Sequence, residues 1–114
     1  MHELSLLGGV TDIVSKAVEP STVVRDVGLV VGARSGVLVD ALFAAWPVAK
    51  QGTCCAGASL HVTEVAATVW CPACEGEQEI DEYFALTCPE CGTPTADLRR
   101  GKEFHVDYVD VETD

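Results

Sequence analysis

Four cysteines in two short motifs carry the strongest chemical signal in the sequence. The first motif is Cys71-Pro72-Ala73-Cys74, and thirteen residues later comes Cys88-Pro89-Glu90-Cys91-Gly92. A Cys-x-x-Cys turn brings two thiolates to one ion, and two such turns complete a closed tetrahedral site. Because sulfur is a soft ligand, such a site suits zinc or iron. Because closed coordination leaves no position for a substrate, the spacing predicts a structural Zn(II) site. The predicted ligands are Cys71, Cys74, Cys88 and Cys91.

This motif alone leaves other functions open. Core thiols or a redox pair are the simplest alternatives, but two matched pairs, each with proline inside, favour metal binding. Similar Cys-Pro-x-Cys-Gly turns occur in rubredoxins, so an iron electron carrier is one alternative. A zinc ribbon that serves as a protein-interaction module is another.

The amino terminus, Met1-His2-Glu3, offers a second possible metal site. A histidine at position 2 places an imidazole beside the terminal amine, with one backbone amide between them, and a bulky second residue generally prevents removal of the methionine. The donors are the Met1 amine, the His2 amide and imidazole, and the Glu3 amide. Such a nitrogen-rich, nearly planar set suits nickel(II) or copper(II) better than zinc. The alternative is an ordinary exposed histidine followed by a favourable first-turn carboxylate.

Apolar periodicity predicts the elements that position these residues. Helical spacing runs from Leu6 to Val18 and is stopped by Pro20, and a second helical face runs from Leu38 to Trp46, with Pro47 expected to end or kink that helix. A valine-rich segment and two alternating segments predict three strands. These strands are expected at 24–31, 59–66 and 103–111.

A change of composition divides the chain. Between residues 70 and 94 there are four cysteines, three prolines and a run of acidic residues, while long apolar patterns vanish. About 25 residues cannot build a core, so this module depends on its metal for folding. The predicted fold is therefore α+β, a small domain of two helices on a three-stranded sheet with an inserted zinc-ribbon module. The predicted boundaries are 1–69 and 101–114 for the α/β domain and 70–100 for the ribbon.

Composition excludes several classes of function. With 114 residues, 48% hydrophobic and a mean hydropathy of +0.24, the chain is not composed like a disordered protein. A net charge of −11 repels phosphate backbones and anionic membrane surfaces, which argues against nucleic acid as a partner. No signal for secretion or membrane insertion is recognisable, so we expect a soluble, unprocessed, cytoplasmic protein with reduced thiols.

Taken together, several segments resemble the HypA/HybF family of hydrogenase nickel-incorporation proteins, from residue 1 to about residue 112. The combination of an MHE start with a late four-cysteine module is the most specific part of the resemblance. The segments that carry it are Met1-His2-Glu3-Leu4-Ser5, Val24 to Gly32, Gly52-Thr53 with Gly57-Ala58, the two cysteine motifs, and Gly101-Lys102-Glu103-Phe104.

The resemblance implies a function that the residues alone do not. Members are nickel metallochaperones, not enzymes, and help to load the [NiFe] centre of hydrogenase. Their partners are a hydrogenase-maturation GTPase and the hydrogenase large subunit, with urease maturation proteins as further partners. Ni(II) is then the cargo and Zn(II) the structural metal. The resemblance makes His2 the essential nickel ligand, with Glu3 contributing its amide, and also its carboxylate as a further candidate donor.

Other positions are either carried over from the family or depart from its pattern. Asp40 matches a carboxylate that approaches nickel in some members, although an acid in a first helical turn has an ordinary structural explanation. Pro47 interrupts a helix that usually runs on, and Cys54-Cys55 adds two thiols to which the sequence assigns no role. His61 and His105, on predicted strands that could pair, are secondary candidates for a transient nickel contact.

Overall fold

The computed structural model describes residues 2–80 and 86–112 and contains two helices and two small sheets in that part of the chain. The α+β class predicted from the sequence is confirmed. Along the chain the elements are α1 (His2–Ala17), β1 (Val24–Gly32), α2 (Val39–Ala49), β2 (Ser59–Val65), β3 (Thr68–Cys71), β4 (Gly76–Glu79), β5 (Leu98–Arg100) and β6 (Phe104–Val111).

The chain divides into two compact units. Unit 1 comprises the described residues within Met1–Val30, Val37–Thr63 and His105–Asp114, and unit 2 those within Val31–Gly36 and Glu64–Phe104. The predicted ribbon, 70–100, therefore falls within the residues of unit 2, and its exact boundaries stay a prediction. Among the described residues no helix combines the length and apolar character needed to cross a bilayer.

In unit 1, α1 forms where the sequence pattern placed it. Its buried side chains are spaced three or four residues apart, which gives one apolar stripe: Leu7, Val10, Thr11 and Val14. The Thr11 hydroxyl is satisfied by the carbonyl of Gly8 at 3.0 Å. On the exposed side, Lys16 pairs with Asp12 at 3.1 Å, one helical turn away.

The helix α2 continues through Pro47 to Ala49, so the expectation that it ends near Trp46 was wrong, while a kink at Pro47 stays a prediction. Proline removes one amide donor, but one turn of helix still follows, and the Lys50 N–H donates to the Trp46 carbonyl at 3.0 Å. Trp46 is buried and its indole N–H donates to the carbonyl of Ala58 at 2.9 Å. The burial of Trp46 and its hydrogen bond stabilise the helix enough to offset the tendency of proline to end it.

The first sheet has the strand order β2-β1-β6. The late strand β6 thus returns to lie beside β1, as the alternation of residues 103–111 predicted. Both β2 and β6 neighbour β1, so His61 and His105 lie on strands that do not pair with each other. The buried residues of β1 include Val27 and Leu29, at 0% and 1% exposure, which accounts for its continuous apolar run.

The second sheet belongs to unit 2, has the order β4-β3-β5 and was not predicted from the sequence. Both pairings are antiparallel, with Trp70 opposite Glu77 and Val69 opposite Leu98. In the described part of unit 2, its apolar cluster joins three buried residues and two partly buried ones. These are Ala67, Val69 and Ile80, with Leu86 and Leu98 against them.

A glycine closes unit 2 at the end of β5. Gly101 has φ +121°, and its carbonyl accepts a hydrogen bond from the Arg34 N–H at 2.6 Å. A Cβ at this position would lie 2.8 Å from the Cα of Ala67. Only glycine combines this backbone conformation with so close an approach.

We therefore predict that Gly101→Ala lowers the free energy of unfolding of unit 2 by about 1–3 kcal/mol, since it adds backbone strain and a steric clash. Urea denaturation of the metal-loaded protein, followed by Trp70 fluorescence, measures the loss.

Gly76→Ala is the matched control in the same unit, because its Cβ would meet only the carbonyl oxygen of Cys74 at 4.0 Å. The control should change stability by less than about 0.5 kcal/mol. Equal midpoints for both variants would contradict this account of Gly101.

Candidate metal centre

The first cysteine motif forms a tight turn between β3 and β4. Cys71 is the last residue of β3, and the backbone N–H of Cys74 donates to its sulfur at 3.4 Å. Glu75 follows with φ +53°, a left-handed conformation that reverses the chain into β4.

The second motif repeats this arrangement in a short hairpin. The N–H of Gly92 donates to the carbonyl of Cys88 at 2.8 Å, and the N–H of Cys88 donates to the carbonyl of Thr93 at 2.9 Å. Gly92 has φ +75°, so glycine takes here the left-handed position that Glu75 takes in the first turn. The two turns therefore present their cysteines in the same way.

The four sulfurs converge on one point. All lie within 4.8 Å of one another. The measured separations are 3.5 Å for Cys71–Cys91, 3.6 Å for Cys74–Cys91 and 3.9 Å for Cys74–Cys88. A tetrahedron with metal–sulfur bonds of about 2.3 Å has edges of about 3.8 Å, so the donor set fits a four-coordinate ion. Cys71 and Cys88 are buried, whereas Cys74 and Cys91 are exposed.

The electrostatics of the cluster require a cation if all four cysteines are to be ionised. Hydrogen bonds from the hydroxyl and backbone N–H of Thr93 lower the pKa of Cys91 to about 6. Hydrogen bonds with Cys91 and the other two sulfurs raise the pKa of Cys74 to about 12. Four thiolates at these distances repel one another, and a bound divalent ion offsets that repulsion.

A second layer of polar contacts supports the ligands. The hydroxyl of Thr93 lies 3.0 Å from the Cys91 sulfur, a contact that the sequence motif did not predict. Thr95 donates its hydroxyl to the carbonyl of Trp70 at 2.7 Å, and the N–H of Trp70 donates to the carbonyl of Asp97 at 2.9 Å. These bonds fasten the strand that enters the first cysteine turn.

An arginine adds to this support on the exposed side. Arg99 lies with its guanidinium 5.0 Å from the centre of the Trp70 ring. It also forms a two-pronged hydrogen bond with Asp97, at 2.9 and 2.8 Å, and this contact lowers the pKa of the Asp97 carboxyl. The stacked ring and the paired charges hold β5 beside β3.

At the amino terminus, the structure describes His2 and Glu3, while Met1 lies outside the described residues. The side chain of His2 is 65% exposed, and its Nδ1 lies 3.7 Å from the Oε2 of Glu3. That same oxygen accepts a hydrogen bond from the N–H of Leu38 at 3.3 Å, which is the main cause that lowers the pKa of the Glu3 carboxyl. The sequence carried no signal for this contact.

Asp40 is exposed in the first turn of α2, as the sequence predicted for an N-terminal acid. Within residues 2–80 and 86–112, the four cysteines are the one group of three or more histidine, cysteine or acidic side chains whose ligand atoms converge. The structure therefore does not gather His2, Glu3 and Asp40 into such a group, and the assignment of Asp40 to nickel stays a prediction.

His61 has partners of its own, His105 lies on β6, and the two thiols without an assigned role lie side by side. His61 contacts Asp26 through Nε2 at 2.7 Å and stacks on Tyr108 with ring centres 6.5 Å apart. The sulfurs of Cys54 and Cys55 lie 3.8 Å apart. Burial raises the pKa of Cys55 to about 12, so this thiol stays protonated and packs as a small apolar side chain.

Comparison of the sequence with known proteins found relatives along almost the whole chain. A family model described as "Hydrogenase/urease nickel incorporation, metallochaperone, hypA" matches residues 1–111. The hydrogenase maturation factor HypA of Chloroflexus aggregans is 36% identical, over 99% of this chain and 99% of its own length. The hydrogenase maturation factor HybF of Klebsiella pneumoniae is 34% identical, over 98% of this chain and 100% of its own length.

A solved structure shares the fold. The solution structure of the Ni metallochaperone HypA from Helicobacter pylori matches with a TM-score of 0.62 at 15% sequence identity. The match covers 97% of this chain and 95% of that chain. At this level of identity the likeness supports the fold alone.

We predict that removing the metal from the cysteine cluster unfolds unit 2 and leaves α1 and α2 folded. In zinc-finger peptides structural zinc contributes on the order of 10 kcal/mol, far more than the small apolar cluster of unit 2 supplies. The two tryptophans separate the responses, because Trp70 lies in unit 2 and Trp46 in unit 1. A chelator should shift the emission of Trp70 and preserve the helical circular dichroism.

The Trp70→Phe variant reports Trp46 alone and serves as the control. Unchanged Trp70 emission after complete metal removal would contradict a structural role for the metal. Metal analysis of the protein before chelation should find zinc in a colourless protein, whereas a red, iron-containing protein would support the rubredoxin-like alternative.

Proposed function

The chain belongs to the HypA family of hydrogenase/urease nickel-incorporation metallochaperones, and on this basis we propose that it carries Ni(II) at its amino terminus and helps to insert it into [NiFe]-hydrogenase. The observation that supports this most directly is the exposure of the His2 side chain. Its imidazole is mostly exposed at the start of α1. A carrier needs an accessible ligand of this kind because it must both bind and release.

The proposed donor set is rich in nitrogen. It comprises the Met1 amine, the His2 amide and imidazole, and the Glu3 amide. The first four amides of a helix have no carbonyl partner within the helix, so the amides of His2 and Glu3 are not committed to the helical hydrogen bonds, and the positive end of the helix dipole favours loss of their protons. Nitrogen donors in a nearly planar arrangement suit nickel(II). The exposed carboxylate of Asp40 is a further candidate ligand.

The four-cysteine site has a different proposed role. Its sulfurs fit a tetrahedral ion and leave no open position, which supports a structural Zn(II) that holds the ribbon together. The residues that would hold the zinc are Cys71, Cys74, Cys88 and Cys91. Thr93 would help to hold one of these ligands in its ionised form.

As a carrier, the protein transfers an ion and catalyses no reaction of its own. Its proposed partners are a maturation GTPase and the large subunit of [NiFe]-hydrogenase, with urease maturation proteins as a further client system. The net charge of −11 disfavours nucleic acid as a partner. We propose that the protein acts in the cytoplasm, where thiols stay reduced and able to bind metal.

We predict that His2→Ala loses Ni(II) binding and retains zinc, because the substitution removes the one side-chain nitrogen of the proposed nickel set. Calorimetric titration with Ni(II) should show affinity lower by a factor of more than about 100, because loss of a partner that only orients a metal ligand already costs about 10–100-fold. His61→Ala and His105→Ala leave the amino terminus intact and should bind Ni(II) like the parent chain.

Residues added ahead of Met1 provide an independent test, since they convert the terminal amine into an amide. Such an extended chain should bind Ni(II) more weakly and with an altered visible spectrum. Nickel bound with the original spectrum, either by the extended chain or by His2→Ala, would rule out the proposed site.

A further inference from the structure

The first turns of α1 and α2 are joined through the carboxylate of Glu3. Its Oε2 accepts a hydrogen bond from the backbone N–H of Leu38, which is the N-cap residue of α2. These residues are 35 positions apart in the sequence, and both belong to unit 1. The carboxylate side chain is only 18% exposed.

The start of α2 lacks the residues that normally cap a helix. Leu38 has an extended backbone, with φ −90° and ψ 117°, but its side chain makes no capping hydrogen bond. In a capping box the third helical residue, usually glutamate or glutamine, reaches back to the N-cap N–H. Here that residue is Ala41, which has no polar atom. Glu3 supplies the missing carboxylate from α1, and its charge complements the positive end of the α2 dipole.

The same oxygen faces His2. The Nδ1 of His2 lies 3.7 Å from the Oε2 of Glu3. The His2 side chain is 65% exposed, whereas the Glu3 side chain is largely covered. The carboxylate is therefore turned toward α2, and the imidazole remains accessible from solvent. The Leu38 N–H fixes Oε2 beside α2, so a metal would have to reach the carboxylate through Oε1 or pull it away from α2.

We propose that Glu3 is a positioning residue and that its carboxylate is not a nickel ligand. It fastens the first turn of α1 to the N-terminus of α2, and so holds the His2 imidazole and the neighbouring amides in place for the ion. This inference rests on the proposed function, since it concerns how the amino terminus is organised for Ni(II). If so, a change that destabilises the N-terminus of α2 also lowers the affinity for Ni(II).

Space around Glu3 permits a clean test by substitution. Glu3 borders a cavity of about 310 Å³ whose other lining residues are small or apolar: Leu4, Ala41, Ala44, Ala45 and Val48. Glu3→Gln keeps the shape and an acceptor oxygen and removes the charge. Glu3→Ala removes the acceptor. Leu38→Pro removes the N–H donor at an exposed N-cap position and leaves Glu3 unchanged.

Two measurements on the intact chain separate a positioning role from ligation. In the absence of nickel, hydrogen exchange of the Leu38 amide should be about fivefold faster in Glu3→Ala than in the parent, as expected for loss of a helix cap, and only slightly faster in Glu3→Gln. The Trp70 amide, bonded to Asp97 in unit 2, should not change and is the internal control.

With Ni(II) alone as the probe, Glu3→Ala and Leu38→Pro should each lower the affinity several-fold, and the visible absorption of the bound nickel should stay the same. Glu3→Gln should recover most of the affinity. The effects of Glu3→Ala and Leu38→Pro should not add in the double variant, because both remove the same hydrogen bond.

Two results would overturn the inference. If Glu3→Gln loses as much affinity as Glu3→Ala and the nickel spectrum shifts, the carboxylate is a ligand. If exchange of the Leu38 amide is the same in the parent chain, Glu3→Gln and Glu3→Ala, the hydrogen bond has no positioning role. Failure of the parent chain to bind nickel would instead refute the proposed function, and the exchange experiment would still test the link between the two helices.

Discussion

The convergence of four cysteine sulfurs within 4.8 Å is the constraint on which unit 2 depends. Thiolates at such distances repel one another, so the arrangement is stable only around a cation or with some thiols protonated. Among the residues of this unit that the structure describes, the apolar cluster contains three buried residues, which is a small core. A bound ion would therefore add to the stability that the short strands and the two matched turns draw from local sequence.

The proposed nickel site at the amino terminus differs from the cysteine cluster in exposure and in ligand type. A closed sulfur site keeps its ion, whereas an exposed imidazole beside amides that have no carbonyl partner within the helix can accept an ion and give it up. What the amino terminus lacks in burial it gains from Glu3, whose contact with Leu38 ties it to a second helix. In this account the family's two metals are separated by ligand chemistry as well as by position, with sulfur for structure and nitrogen for cargo.

Much of the fold could be predicted because the signals were local and periodic. The apolar stripe of α1, the valine run of β1 and the alternation of β6 all matched the structure within a residue or two at most boundaries. The helix α2 ran past Pro47, because the burial of Trp46 and its bond to Ala58 are tertiary effects that a local rule cannot include. The three short strands of unit 2 were missed, since four-residue segments such as β4, made of glycine and polar residues, carry no pattern.

The candidate sites could be predicted where the spacing of residues along the sequence identifies them. The four cysteines were identified from two motifs, and the structure brought them together. Thr93 follows Cys91 by two residues, a position from which a contact with its sulfur could have been suspected. The bond between Glu3 and Leu38 could not, because it joins a side chain to a backbone amide 35 residues away, and a backbone amide has no sequence signature.

X-ray absorption at the nickel edge, on protein that carries both metals, tests the division between nitrogen and sulfur most directly. The account predicts a nickel shell made only of nitrogen and oxygen atoms, while the zinc edge of the same sample shows four sulfurs at about 2.3 Å. Sulfur in the nickel shell would contradict the account, because it would place the cargo on the cysteines.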